Sequence, residues 1–236
     1  MSLRDRVATP EGKRRYVRTL FATIADRYDL ITVILSYGRD RAWKRRLVDM
    51  ARVTPGTRAL DLATGTGDIA FLLHDAGAAA VGLDVTARMI ELARAKRLPG
   101  AGPAFLVGDM MALPFPAGSF DLVTTGYGLR NVPDLSGALA EIARVLRPGG
   151  QLLSLDFDRP SHPIVRAAYL AYLTAAGSAL GWILHRDPDT YRYIPVSIRS
   201  YPGAVGVVAL MRARGFAEAT RIRVLGGFMA IHHART

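Results

Sequence analysis

Residues 59–68 read ALDLATGTGD. An apolar run from Ala59 to Ala63 breaks into Thr64, Gly65, Thr66 and Gly67, and then meets the acidic Asp68. A turn this abrupt needs left-handed backbone, which glycine adopts at no steric cost. When such a turn joins a buried strand to a helix, a ligand can approach the main chain at the carboxyl edge of a parallel sheet. What surrounds the stretch decides whether such a sheet exists.

Strand and helix patterns alternate on both sides of it. TRALDLA (57–63) is the first strand, and DIAFLLHDAG (68–77) is a helix closed by Gly77. AAVGLDV (79–85) is a second strand, followed by helical ARMIELARAKRL (87–98). PAFLVGD (103–109) and FDLVTTGYG (120–128) are the third and fourth strands. LSGALAEIARVL (135–146) is an amphipathic helix stopped by Pro148-Gly149-Gly150, and QLLSLDF (151–157) is a fifth strand. The tail, 217–234, reads as two strands hinged at Gly226-Gly227. This pattern predicts a Rossmann-like, doubly wound α/β sheet of seven strands that ends in an antiparallel hairpin.

One domain accommodates the 236 residues. Its expected parts are an N-terminal helical cap (11–52), a cofactor-binding core (57–158), a helical substrate cover (159–200) and a C-terminal helix and hairpin (201–236). The cover contains AAYLAYLTAAGSALGWIL (167–184), a run without a charge. It is short and diluted for a membrane span, so a buried cover helix, or one facing a lipid-like substrate, is expected instead.

With no cysteine, the chain has no disulfide, thiolate metal site or cysteine nucleophile. No spacing of histidines and carboxylates suggests a metal. The first twenty residues are charged and lack an apolar signal core, so a cytoplasmic location is expected, at the inner face of a membrane if the basic charge is functional. The net charge of +11 has three readings: attraction to anionic membranes, nucleic-acid binding, or an arginine-rich genome. No nucleic-acid motif supports the second.

The turn narrows the ligand. Asp84 ends the second strand, 19 positions after Gly65, where a carboxylate can accept both hydroxyls of a ribose. Asp109, after the third strand, is set to bond an adenine amino group. A dinucleotide would also need its pyrophosphate at the first helix N-terminus, yet that helix opens with the negative Asp68. A cofactor with adenosine and no phosphate fits better, which points to S-adenosylmethionine.

LDLATGTGD, VGLD, GDMMALPF, FDLV and RVLRPGG resemble, in order and spacing, the motifs of class I S-adenosylmethionine-dependent methyltransferases. RYDLITVILSYGRDRAWKRRLVD, GYGLRNVPD and YRYIPVSIRSYP are similar, more narrowly, to the ubiquinone/menaquinone biosynthesis C-methyltransferases. The resemblance implies cofactor contacts at Gly65, Thr66, Gly67, Asp84, Asp109, Met110 and Gly126. It implies a lipophilic quinol substrate, and the protein could also be a homodimer. Ile31, Thr32 and Asp40 stand where the family usually carries Met, Asn and His, and Gly126 stands where it often has Ser.

Carbon methylation of a quinol needs in-line geometry, an electron-rich ring and exclusion of water. Arg130 is a candidate to favour the ionised quinol, with a structural salt bridge as its alternative reading. Asn131 is a candidate to orient a ring oxygen, and Tyr28 to close over the cofactor. Tyr191 and Tyr193 either line the ring entrance or pack against the sheet. His232 and His233 are read as structural. Two rival functions remain at this point: methylation of another apolar metabolite, such as a polyketide or sterol, and a silent binding subunit.

Overall fold

The computed structural model describes residues 3–97 and 101–236. Four helices precede the sheet: α1 (Leu3–Arg6), α2 (Pro10–Ile24), α3 (Tyr28–Leu35) and α4 (Asp40–Ala51), with a 3-10 turn at Ala25–Arg27 between α2 and α3. Thr9 caps α2, its hydroxyl accepting from the Gly12 amide at 3.1 Å, and Pro10 starts it. Then follow β1 (Arg58–Leu62), α5 (Asp68–Asp75), β2 (Ala79–Asp84), α6 (Ala87–Ala95), β3 (Ala104–Val107) and β4 (Phe120–Gly126). The remainder is α7 (Leu135–Val145), β5 (Leu146–Phe157), α8 (Pro163–His185), α9 (Asp189–Ser200), α10 (Gly203–Ala213), β6 (Glu218–Val224) and β7 (Met229–Arg235).

The strands form one seven-stranded sheet in the order β3-β2-β1-β4-β5-β7-β6, antiparallel only where β7 pairs with β5 and β6. The strands are apolar on both sides because helices cover both faces. Leu60, Leu62, Val123 and Leu152 pack toward α7 and α10. Ala59, Leu122, Leu153 and Leu155 pack toward α4 and α5. The strand order reverses between β1 and β4, and the carboxyl ends around that point form the binding edge of such sheets.

Several boundaries differ from expectation for local reasons. β4 stops at Gly126 because Tyr127 takes a left-handed φ of 61°. Pro148 to Gly150 do not precede β5 but lie inside it: α7 ends at Val145, and pairing with β4 starts at Leu146 across a register shift. The end of the 87–98 helix, at Leu98, lies outside the described residues. The hairpin turns at Leu225–Gly227, where Gly226 has φ 65°.

The cover departs further. Of the two expectations for α8, the buried helix does not hold: only Leu170, Gly177 and Gly181 are buried. Gly177 and Gly181 let the backbone of Tyr191 and of Asp187–Pro188 approach α8 closely, since a Cβ there would come within 3.0 and 2.4 Å of it. Ile164, Val165, Tyr172, Trp182 and Ile183 of α8 point outward.

Candidate functional site

Two cavities meet at the carboxyl edge of the sheet. The first, about 750 Å³, lies over the ends of β1, β2 and β4 and is roofed by Arg14, Val17 and Phe21 of α2. The second, about 920 Å³, is walled by α2, α3, α4, α8 and α9. Phe21, Tyr28 and Tyr127 border both.

The first cavity collects Gly65, Asp84, Asp109, Met110 and Gly126, together with Tyr28 and Asn131. Buried Asp84 is fixed by the main chain: the Gly65 amide donates to one oxygen at 2.9 Å and the Thr86 amide to the other at 2.8 Å. Burial raises its pKa, and the Thr86 and Gly65 amides oppose that shift. Asp109 accepts from the Met111 amide at 2.9 Å and from Arg14 at 2.9 Å, so α2 is tied to the cavity rim. Asn131 Oδ1, on the wall, is buried without a partner among the described residues. Such an orphan suits a polar ligand.

Thr66 and Gly67 do not reach this cavity. Thr66 donates to Asp29 at 2.6 Å. Gly67, with φ 91°, caps α5, and a Cβ there would strike the Phe105 ring at 2.8 Å. Gly67 therefore allows helix and sheet to pack closely, while Gly65 is the turn residue that faces the ligand space.

Beside the first cavity lies a smaller one of about 280 Å³, bordered by Lys44, Asp61, Thr64, Thr66 and Asp68 and sharing Tyr28, Ala63, Gly126 and Tyr127 with it. Lys44 bridges Asp40 at 2.5 Å and Asp68 at 2.9 Å. Burial opposes its charge, but those carboxylates and Tyr28 outweigh it and raise its pKa. Burial pushes Asp61 up to about 7, although Thr64 and Thr124 donate to it at 2.6 and 2.8 Å. Asp68 belongs to this network rather than serving only as a helix cap.

The second cavity is aromatic. Tyr191 and Tyr193 line it with Tyr28, Trp43, Tyr127 and Phe157. Tyr191 bonds His185 at 2.9 Å, whereas the buried Tyr193 hydroxyl has no partner among the described residues. Both tyrosines thus belong to the cavity wall, and Tyr193 presents a free polar atom there. Tyr28 has its pKa pushed up to about 12, chiefly by burial, and so carries its proton. Ile31 and Thr32 also line this cavity, and Asp40 accepts from Tyr127 at 2.7 Å. All the N-terminal departures from the family pattern therefore touch the second cavity or its brace.

Arg130 reaches the second cavity, but not as a free cation. Its Nε donates to Asp156 at 3.2 Å, its amide donates to the other oxygen at 3.0 Å, and Nη1 donates to Ser197. The guanidinium lies 5.0 Å from the Phe157 ring centre. Lys13 donates to the Arg130 carbonyl at 3.0 Å, its pKa lowered to about 8 by burial first and Arg130 second. The salt bridge considered as the alternative for Arg130 is thus present. Asn131 differs from expectation: it faces the first cavity, donating to the Tyr127 carbonyl at 2.8 Å.

Sequence reasoning passed over Tyr127 and Lys44. Tyr127 borders all three cavities, and its only sequence mark is the small GYG context after a strand. His232, buried between Ser154 (3.0 Å) and the Ala204 carbonyl (3.3 Å), is structural as read.

Residues 9–236 match the ubiE/COQ5 methyltransferase family. A demethylmenaquinone methyltransferase of Thermus thermophilus is 41% identical over 216 residues, covering 90% of this chain and 98% of that protein. A ubiquinone/menaquinone biosynthesis C-methyltransferase of Hahella chejuensis is 37% identical over 227 residues, covering 93% and 91%. A solved SAM-dependent methyltransferase of Thermotoga maritima shares the fold, with a TM-score of 0.67 at 19% identity and coverage of 93% and 99%.

Proposed function

This chain belongs to the ubiE/COQ5 methyltransferase family, and on that premise we propose that it methylates a ring carbon of a prenylated quinol, demethylmenaquinol or a related ubiquinone precursor, using S-adenosylmethionine. The observation that carries the reading is the meeting of a sheet-edge cavity that holds the carboxylates Asp84 and Asp109 with an aromatic one across Tyr28 and Tyr127. A donor and a flat apolar acceptor need that arrangement: separate seats and one shared wall.

The residues of the first cavity fit the cofactor. Asp84 retains lone pairs for the ribose hydroxyls, and Asp109 and Met110 flank the space for adenine. The smaller cavity offers Asp61 and Asp68 to an ammonium and Lys44 to a carboxylate, which are the charged groups of a methionine end. Bound there, S-adenosylmethionine supplies an electrophilic methyl group.

The chain's own residues do the rest. The aromatic walls hold the ring flat and exclude water. Tyr193 supplies a hydroxyl to a ring oxygen. Asp156 balances the charge of Arg130, and Lys13 adds a positive charge behind the pair, so the ionised quinol is favoured at the oxygen nearest Arg130. Its proton leaves to bulk water before the ring is enclosed, and the oxygen regains a proton when the methylated carbon gives up its hydrogen. The lipophilic acceptor implies work at the inner face of a membrane.

The test is incubation with methyl-labelled S-adenosylmethionine and reduced demethylmenaquinone, with the product identified by mass spectrometry. A labelled methyl on a ring carbon supports the reading. Turnover only with oxygen-linked or non-quinone acceptors would replace it.

A further inference from the structure

Helix α8 is apolar on both sides. Its inward positions carry Leu170, Leu173, Leu180 and Leu184 with Thr174, Gly177, Ser178 and Gly181. Its exposed positions, 164, 168, 171, 175, 179 and 182, recur every three or four residues and hold Ile164, four alanines and Trp182, with Val165, Tyr172 and Ile183 alongside. Ile164 is 73% exposed, Ile183 72% and Trp182 57%. Helix α3 does the same: Leu30, Val33, Ile34 and then Tyr37 face solvent at helical spacing. The inner sides of α3 and α8 share one apolar cluster through Ile31, Leu35, Leu180 and Leu184, so their outer sides form neighbouring parts of one surface. Tyr37 and Tyr172 join across it, hydroxyl to hydroxyl.

An exposed apolar surface of this kind is rare on a soluble monomer and marks a docking site. Two observations identify what docks. Exposed arginines stand at the ends of both helices: Arg27 and Arg39 beside α3, and Arg159 and Arg186 beside α8. Arg27 also donates to the Leu184 carbonyl, which fixes it at the seam. Apolar side chains set among arginines match the interface of an anionic bilayer, where rings and alkyl groups enter and guanidinium groups meet phosphates. The aromatic cavity, moreover, opens on this surface, since Tyr37 and Tyr172 are both exposed and both line it.

We propose that the α3/α8 face docks on an anionic lipid bilayer and that the aromatic cavity receives its substrate from the bilayer beside the joined Tyr37–Tyr172 pair. The second half rests on the quinol reading above; the first does not. Helix α8 is long and apolar enough to cross a membrane, but Gly177 and Gly181 hold it against α9 and the preceding loop, and Tyr169, Tyr172 and Leu173 on it wall the cavity. It therefore lies in the interface.

The chain carries its own reporter. Of its two tryptophans, Trp43 is buried and Trp182 sits at the centre of the proposed contact. Phosphatidylglycerol-containing vesicles should blue-shift Trp182 emission, whereas phosphatidylcholine vesicles should do so weakly. The double variant Ile34→Glu/Ile183→Glu alters exposed side chains outside the cavity. It should lower partition to the anionic vesicles by about 10²-fold or more, the scale of losing two buried isoleucines. Its turnover of a short-tailed soluble quinol should stay the same, while turnover of a long-tailed quinol embedded in vesicles falls. Three results would overturn the docking face: no shift of wild-type emission, equal partition of the variant, or a dimer in sedimentation that shields Trp182 and becomes monomeric in the variant. Vesicle binding without turnover of either quinol would leave docking in place and remove the substrate reading.

Discussion

The two principal cavities differ in what builds them. The first is made at strand ends, from turns and main-chain amides: Asp84 is held by Gly65 and Thr86, and Asp109 by Met111. The second is made from side chains of five helices, α2, α3, α4, α8 and α9, that share no sequence period, with Tyr127 and Phe157 closing its floor. A main-chain site depends on the fold, so it can seat one cofactor across many sequences. A side-chain site can be reshaped residue by residue, and Ile31, Thr32 and Asp40, where this chain leaves the family pattern, lie in or behind that second wall.

The sharpest attempt to break this division is at Arg130. Arg130→Ala leaves Asp156 buried and unpaired, so denaturant unfolding should show a loss of about 3–5 kcal/mol. Arg130→Leu with Asp156→Asn should regain most of that loss. If the guanidinium also favours the ionised ring, the folded double variant should still turn over about 10²–10³-fold more slowly. Normal turnover would make the pair structural only.

Asp84→Ala tests the other side of the comparison. Calorimetry with S-adenosylhomocysteine should show binding weakened by about 1.5–3 kcal/mol, the cost of unpaired charged hydrogen bonds. Unchanged affinity would move the ribose elsewhere.

The sheet that carries the first cavity has its own pH signature. Burial lowers the His232 pKa from 6.5 to about 4. The folded ring is neutral, and the unfolded chain takes up a proton below 6.5, so stability is present above that pH and is lost as pH falls toward 4. Between pH 7.5 and 5 the loss from this residue should be about 2 kcal/mol. His232→Asn, compared with the parent in urea unfolding at both values, should lack that increment. An equal pH dependence in both proteins would place the titration on other groups.

Tyr193→Phe should be the mildest change. Its hydroxyl has no partner among the described residues, so melting should not fall, while KM for the quinol should rise by the worth of one hydrogen bond, about 0.5–1.5 kcal/mol. An unchanged KM would take the ring oxygen away from Tyr193.

How much could be read in advance follows the same division. The spacing of Gly65, Asp84 and Asp109 was legible because each sits at a strand end, where fold and function impose the same residue. Even there Gly67 lies outside the lining of the first cavity, and a glycine that allows packing on Phe105 looks the same in sequence as one facing a ligand. Arg130 and Asn131 both follow the fourth strand at the carboxyl edge and were read as acting on the ring, but the 3-10 turn at Leu129–Asn131 sends the two to different cavities. The outward apolar face of α8 was unreadable for another reason: a charge-free run gives no indication of which side the fold buries.

The most direct measurement is a crystal structure with bound S-adenosylhomocysteine. The expected result places the adenosine in the cavity of about 750 Å³, its ribose hydroxyls on Asp84 and its sulfur against the wall formed by Tyr28 and Tyr127. Adenosine in the aromatic cavity, or a ribose out of reach of Asp84, would contradict the assignment of the two cavities.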